Sequence, residues 1–132
     1  MAKRLIVFVM LGLLSPLAIA CKWPEAESVR VDSDHVLFYR FAPEQPAVGE
    51  FFLMNLKFCR DGKFVDPDSI RADATMPAHA HGMNYRVTIA QAGHQIYEAR
   101  GFLLHMTGLW RFEIVFKDGK KRRRVLFDYQ LN

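Results

Sequence analysis

From Glu50 to Arg60 the chain reads Glu-Phe-Phe-Leu-Met-Asn-Leu-Lys-Phe-Cys-Arg, and Phe52, Met54, Leu56 and Phe58 fall on every second position. That period of two puts four large apolar side chains on one face of a strand and is incompatible with a helix, whose apolar positions recur every three to four residues. Shorter versions of the pattern fill the rest of the chain. Val29 to Val31, Val36 to Phe41, Ser69 to Thr75, Asn84 to Ala90, Gln95 to Ala99, Gly101 to His105, Leu109 to Phe116 and Arg123 to Leu131 all read as strands. Asp61-Gly62 and Asp118-Gly119 are hairpin signals, and no segment carries a sustained helical period. The expected fold is all-β, an immunoglobulin-like β-sandwich of about seven short strands forming a single domain.

The first twenty residues stand apart from that pattern. Lys3 and Arg4 precede an apolar run from Leu5 to Leu14, and Ala18-Ile19-Ala20 supplies a small-x-small cleavage site. This is the layout of an export signal, too short for a comfortable permanent span, so residues 1–20 are expected to be removed and residues 21–132 to form the mature domain. The expected location is the periplasm. About 110 residues remain, enough for one core and not for two.

The two cysteines, Cys21 and Cys59, both survive that cut. In an exported chain an even count favours a disulfide, which would stabilise by roughly 3 to 4 kcal/mol in the chain-entropy account. Cys21 directly after the cleavage point also fits a lipoprotein box, with Ala18 where a larger aliphatic residue is usual. Lipidation and the bridge exclude one another. Membrane contact is expected only if Cys21 is lipidated, and the bridge is the favoured fate.

The formal charge is +4, of which Lys3 and Arg4 contribute two. Most of the remaining basicity lies in Lys117 to Arg124, with six basic residues and one aspartate. Clustered cations of this kind can bind phosphate, but an export signal removes the chain from nucleic acid. The run reads instead as a solvated hairpin and edge strand whose charges discourage edge-to-edge pairing. No nucleic-acid partner is expected.

Chemistry concentrates in Met76-Pro77-Ala78-His79-Ala80-His81-Gly82-Met83 and returns in His105-Met106. Imidazole serves both copper oxidation states and thioether sulfur is a soft donor that holds Cu(I), so this combination points to copper. If the first segment is extended, His79, His81 and Met83 project to one side and converge on one ion. Met76, offset by three from His79, falls on the other face of a straight strand and ranks as a lesser candidate ligand. The opposing reading has the methionines filling the core and the histidines on solvated loops. Tyr85 could lie over the site, although packing is its default role. Trp110 reads as a core indole, and His35 and His94 as isolated surface or turn residues.

An enzymatic role has little support in the chain. Ser28, Ser33 and Ser69 lie in no nucleophile motif, Asp66 and Asp68 flank Pro67 in a turn, and no phosphate-binding glycine loop is present. Three classes are therefore carried forward: a noncatalytic copper carrier or chaperone, which is favoured; a structural or protein-interaction module of the cell envelope; and a metal-dependent oxidoreductase.

Asp73 to Met83, followed by Tyr97-Glu98-Ala99 and then Gly101 to Trp110, resembles the YtkA-like domain family and its FixH-like relatives. The shared pattern is an M-P-x-H-x-H-G-M loop, a later aliphatic-H-M-x-G segment and an aromatic strand, and it spans about two-thirds of the mature chain. Members are small exported or membrane-tethered β-sandwiches, many linked to copper handling and some to assembly of haem-copper oxidases. The resemblance implies periplasmic copper binding or delivery to a copper-receiving envelope protein, with His79, His81 and Met83 in the loop and His105 and Met106 in the second segment. Met76 matches the pattern as well. Thr107 stands where related sequences often carry proline, which affects the turn more than ligation.

Overall fold

The structure, a computed structural model, describes residues 20–132; the export-signal reading rests on residues 1–19, which lie outside the described residues. Ten strands follow one another: β1 (Glu27–Arg30), β2 (His35–Ala42), β3 (Phe51–Arg60), β4 (Lys63–Val65), β5 (Ser69–Met76), β6 (His81–Gly82), β7 (Thr88–Gly93), β8 (Ile96–Leu103), β9 (Gly108–Asp118) and β10 (Lys121–Leu131). One sheet runs β1-β2-β3-β8-β7 with β4 also on β3, the other runs β10-β9-β5-β6, and every pairing is antiparallel. The all-β sandwich is therefore present, with more strands than the seven expected. The additions include β4 and β6, three and two residues long, too short for alternation to reveal.

The two longest alternating runs supply the core. Phe52, Met54, Leu56 and Phe58 of β3 face Trp110, Phe112, Ile114 and Phe116 of β9, and all eight are buried. Phe112 sits among the rings of Phe41, Phe102 and Phe127 at centroid distances of 5.3–5.4 Å. Fully burying side chains of this size contributes about 1.5–3 kcal/mol each. Hairpin turns appear where glycine marked them. Asp61 and Gly62 both take positive φ, 50° and 75°, as a two-residue primed turn between β3 and β4 demands.

Two boundaries differ from the sequence reading. Residues 84–87 are not a strand, and β7 starts at Thr88. Gln95 to Ala99 and Gly101 to His105, read as two strands, are largely one, β8, ending at Leu103. Gly101 is its bulge rather than a turn: Phe52 pairs with Phe102 and Leu53 with Arg100, leaving Gly101 unpaired at φ +100°. A Cβ there would lie 2.9 Å from the Arg86 carbonyl oxygen. Gly101→Ala is therefore expected to cost about 1–3 kcal/mol, read as a lower urea midpoint, since both the backbone conformation and the contact oppose it. An unchanged midpoint would mean that this bulge can relax.

The basic run forms the β9–β10 hairpin and the edge strand β10, as expected. One of its members is not solvated: Arg123 is mostly buried and donates from Nε to Asp32 Oδ2 at 2.7 Å. That bond belongs to a network that corrects the reading of His35. Far from a surface residue, His35 is 2% exposed, with Nδ1 2.9 Å from Asp32 Oδ1 and Nε2 2.9 Å from Asp118 Oδ2. Arg60 Nη1 donates to both oxygens of Asp118. A disulfide joins Cys21 to Cys59 near the same pole of the sandwich, placing the described N-terminus there.

Burial pulls the Asp32 carboxyl upward, but hydrogen bonds from Arg123, from the Asp34 backbone and from His35 outweigh it and hold the group well below the usual carboxylate range. Burial likewise raises Asp118, and His35 with Arg60 overrides it and leaves that carboxyl lowered. Carboxylates lowered on folding stabilise the native state above their unfolded pKa, about 3.9, and that contribution is lost as pH falls toward their folded values. Unfolding free energy is thus expected to drop on acidification below about pH 4, and less steeply in Asp118→Asn, as denaturant midpoints at several pH values would show. An equally steep drop in Asp118→Asn would remove Asp118 from the account.

Candidate metal centre

The His/Met segment is shaped by Pro77. Strand β5 ends at Met76 because proline has no N–H to continue the ladder, and Pro77 instead opens a single 3-10 turn, Pro77–His79. Ala80 then takes the left-handed conformation, φ 50° and ψ 35°, its N–H donating to the Pro77 carbonyl at 3.4 Å. The chain reverses into β6, which pairs back on β5 with Met76 opposite His81 and Thr75 opposite Gly82. The Met83 N–H donates to the Ala74 carbonyl at 3.3 Å. The extended arrangement expected of His79, His81 and Met83 is therefore not formed. His79 lies in the turn, and it approaches His81 because the chain folds back, with ring centroids 5.6 Å apart.

Register places His81 over the core. Thr75 pairs with Arg111 on β9, so the next rung sets Met76 beside Trp110, while His81 pairs with Met76 on its other side. Side chains of directly opposed residues share a face, and both Met76 and Trp110 point inward and are buried. His81 continues this row at the mouth of the sandwich, 6.1 Å from the Trp110 ring centroid.

The second segment arrives from β8. The Leu104 carbonyl accepts the Gly49 N–H at 2.8 Å, and Trp110 Nε1 donates to the Met106 carbonyl at 2.9 Å, which ties both sides of the loop carrying His105. Gly108 follows at φ +126°, where the Met76 methyl lies 2.8 Å from the position a Cβ would occupy. The positive φ is what calls for glycine here, since the Met76 methyl is the end of a flexible side chain. His105 ends 5.1 Å from His81 and 5.5 Å from Trp110, centroid to centroid.

Three of the proposed ligands thus form a row, His79 beside His81 and His81 beside His105, with the last two rings against the Trp110 indole. The methionines are placed differently. Met76 is a core residue, yet it lies in the same row as His81 rather than turned away from it. Met83 is half-buried and packs against the core, and Met106 is exposed at the loop tip. Tyr85 does not cap the site through core packing; 48% exposed, its ring meets Phe51 edge to face at 4.9 Å. Trp110 was read as a core indole, but neither its place beside the histidines nor the role of Gly108 was foreseen, and the signal that could have found them is the meeting of the M-P-x-H segment after β5 with the H-M-x-G segment that leads into β9.

Two imidazoles bound to one ion through nitrogens at about 2.0–2.1 Å, at angles of roughly 90–120°, place their ring centroids about 4.5–5.5 Å apart. The His81–His105 spacing falls within that range and His79–His81 at its edge. As placed, no group of three or more His, Cys, Asp and Glu side chains among the described residues could hold a metal ion. His81 and His105 are spaced as two imidazoles on one ion would be, and His79 stands next to His81 just beyond that spacing.

No family model matches the chain, and no curated protein matches it. A solved structure does: a DUF4426 family protein from Pseudomonas aeruginosa PAO1, 14% identical, with a TM-score of 0.59 over 80% of this chain and 93% of that one. At that identity the likeness shows the fold. The two-sheet sandwich is shared, and the similarity carries no ligand or role with it.

Proposed function

We propose that this protein is a noncatalytic copper-binding protein of the periplasm, a carrier or chaperone that holds the ion through His79, His81 and His105 with thioether donors from Met83 and Met106 nearby. The supporting observation is the row of imidazoles from two segments at one pole, His79 beside His81 and His81 beside His105, the latter two against Trp110. The donor chemistry suits copper, and the resemblance to YtkA-like and FixH-like domains points the same way. Loading requires the exposed His79 and His105 rings to turn about their side-chain torsions, a cheap motion for surface residues. An open site of this kind also suits release to a copper-receiving envelope protein. The Cys21–Cys59 bridge supports an oxidising compartment, and with both thiols used it leaves no place for a lipid on Cys21.

Metal analysis of the purified protein, paired with competition titrations, tests the reading: one copper per chain is expected. Absence of stoichiometric copper would favour a second reading, an envelope interaction module. Its own support is the exposed Phe51–Tyr85 pair, 58% and 48% accessible, on the surface of the sandwich.

A further inference from the structure

The cations of the β9–β10 hairpin continue across the outer face of the sheet that carries it. Directly paired residues share a face, so register groups Ser69, Lys117 and Arg122 in one row and Arg71, Val115 and Arg124 in the next. Strand spacing and rise place the cations of these two rows within an area of about 10 by 7 Å. Val115 is its floor. It alternates with the core residues Ile114 and Phe116 and so points outward, yet it is only 8% exposed, in a depression of about 240 Å³ lined by Ser69, Arg71, Lys117 and Arg122. Arg124 is paired with Glu113, but no ion pair among the described residues holds Arg71, Lys117 or Arg122. The carboxylates bordering this area are committed elsewhere. Asp68 accepts the Gly119 N–H at 2.9 Å, Asp73 the Ala74 N–H at 2.8 Å and Asp66 the Tyr97 hydroxyl at 2.6 Å, while Asp118 is held by His35 and Arg60. Asp34 and Asp61 lie in turns of the other sheet.

Protection of an open edge explains charges on β10 but not this arrangement. Lys117 lies on β9, paired on both sides, and it directly opposes Arg122, a like-charge pairing that destabilises a sheet and that an anion between the two relieves. We infer that this face, with Lys120 and Lys121 at the hairpin tip, docks on the phosphate-bearing headgroups of an anionic membrane surface. Arg71, Arg122 and Arg124 supply planar forks that match phosphate oxygens. Chain geometry selects a membrane over a soluble anion. Cys21 is bonded to Cys59, one residue from Arg60, whose guanidinium meets Asp118 next to the Gly119 turn, so the described chain enters at the hairpin pole. In sequence, only residues 15–20 separate this entry from the apolar run 5–14, so that run in a bilayer brings the hairpin pole to the lipid surface. Once the run is removed, charge complementarity holds the same pole there. Contact with the membrane then needs no lipid on Cys21. The opposite pole, with His79, His81 and His105, points away from the bilayer, and the inference does not depend on the copper reading.

Co-sedimentation of the purified, disulfide-bonded protein with vesicles tests it, using phosphatidylglycerol mixed into phosphatidylcholine against phosphatidylcholine alone. Binding to the anionic vesicles is expected to be at least about tenfold tighter, and to disappear at about 1 M salt, where the screening length falls to about 3 Å. A cation near an anionic leaflet contributes roughly a fivefold gain in affinity, so Arg71→Gln is expected to lose about fivefold and the Lys117→Gln/Arg122→Gln double variant about twentyfold. Arg86→Gln is the control. Exposed beside the histidine pole, Arg86 carries the same charge as Arg71, and its loss is expected to change binding less than about twofold. The double variant relieves a like-charge pairing, so its urea midpoint is expected to hold or rise, which separates lost docking from lost folding. Equal binding to both vesicle types, no binding to either at about 0.1 M salt, or an Arg86→Gln loss matching that of Arg71→Gln overturns the inference. So does displacement from the vesicles by inorganic phosphate at about 1 mM, which would assign the depression to a soluble anion.

Discussion

Replacing Trp110 with alanine is expected to cost about 3–5 kcal/mol of stability, read from the shift in denaturant midpoint. The indole is wholly buried in β9, directly across from Met76, and its loss opens a cavity that the neighbouring rings of the sandwich cannot refill. Trp110→Phe separates packing from positioning. It keeps most of the volume but loses the Nε1 hydrogen bond to the Met106 carbonyl, so about 1–2 kcal/mol is expected, together with weaker copper binding as the His105 loop loosens. A Trp110→Ala protein within about 1 kcal/mol of the parent would mean that the indole is not the packed floor described here.

The second large effect concerns the imidazoles. His81 is the middle ring of the three, 5.6 Å from His79 and 5.1 Å from His105, so removing it deprives both neighbours of a shared partner. His81→Ala and His105→Ala are each expected to weaken copper binding by about a hundredfold or more, beyond the 10–100-fold typical of residues that only orient ligands. His105 is exposed and His81 half-exposed, so neither change opens a core cavity and the folded state is expected to persist. Circular dichroism and the urea midpoint would confirm that. Folded variants that bind copper as tightly as the parent would return the loop to the packing interpretation.

The sandwich was legible because its signals are local. Alternation at Phe52 to Phe58 and at Trp110 to Phe116 needs no knowledge of the partner strand, and Asp61-Gly62 and Asp118-Gly119 announce their turns in two residues. What escaped depends on residues far apart. His35 is buried because Asp118, 83 positions away, and Arg60 meet it at one pole, and an isolated histidine has no period to betray that. Gly101 separated two strands in the sequence reading, but whether such a glycine breaks a chain or bulges a strand is decided by the partner's register.

The candidate site shows the same division. The residue types and the two segments were readable, and so was the buried state of Trp110. Their geometry was not. An extended His79-x-His81-x-Met83 strand was the natural expectation, yet Pro77 forced a 3-10 turn and Ala80 a left-handed reversal, so two histidines meet by chain reversal and Met83 is half-buried against the core. Met76 reverses its standing for the same reason. Counting offsets along a straight strand set it apart from the histidines, whereas pairing across β5 and β6 sets it beside His81.

The central claim is that one copper ion is held between these three rings. X-ray absorption spectroscopy of the copper-loaded protein tests it most directly, because imidazole gives a distinctive multiple-scattering pattern at the metal edge. The expected result is one copper with two or three imidazole ligands in the parent, falling by one in His81→Ala. A spectrum without imidazole scattering, or one unchanged by His81→Ala, would contradict it.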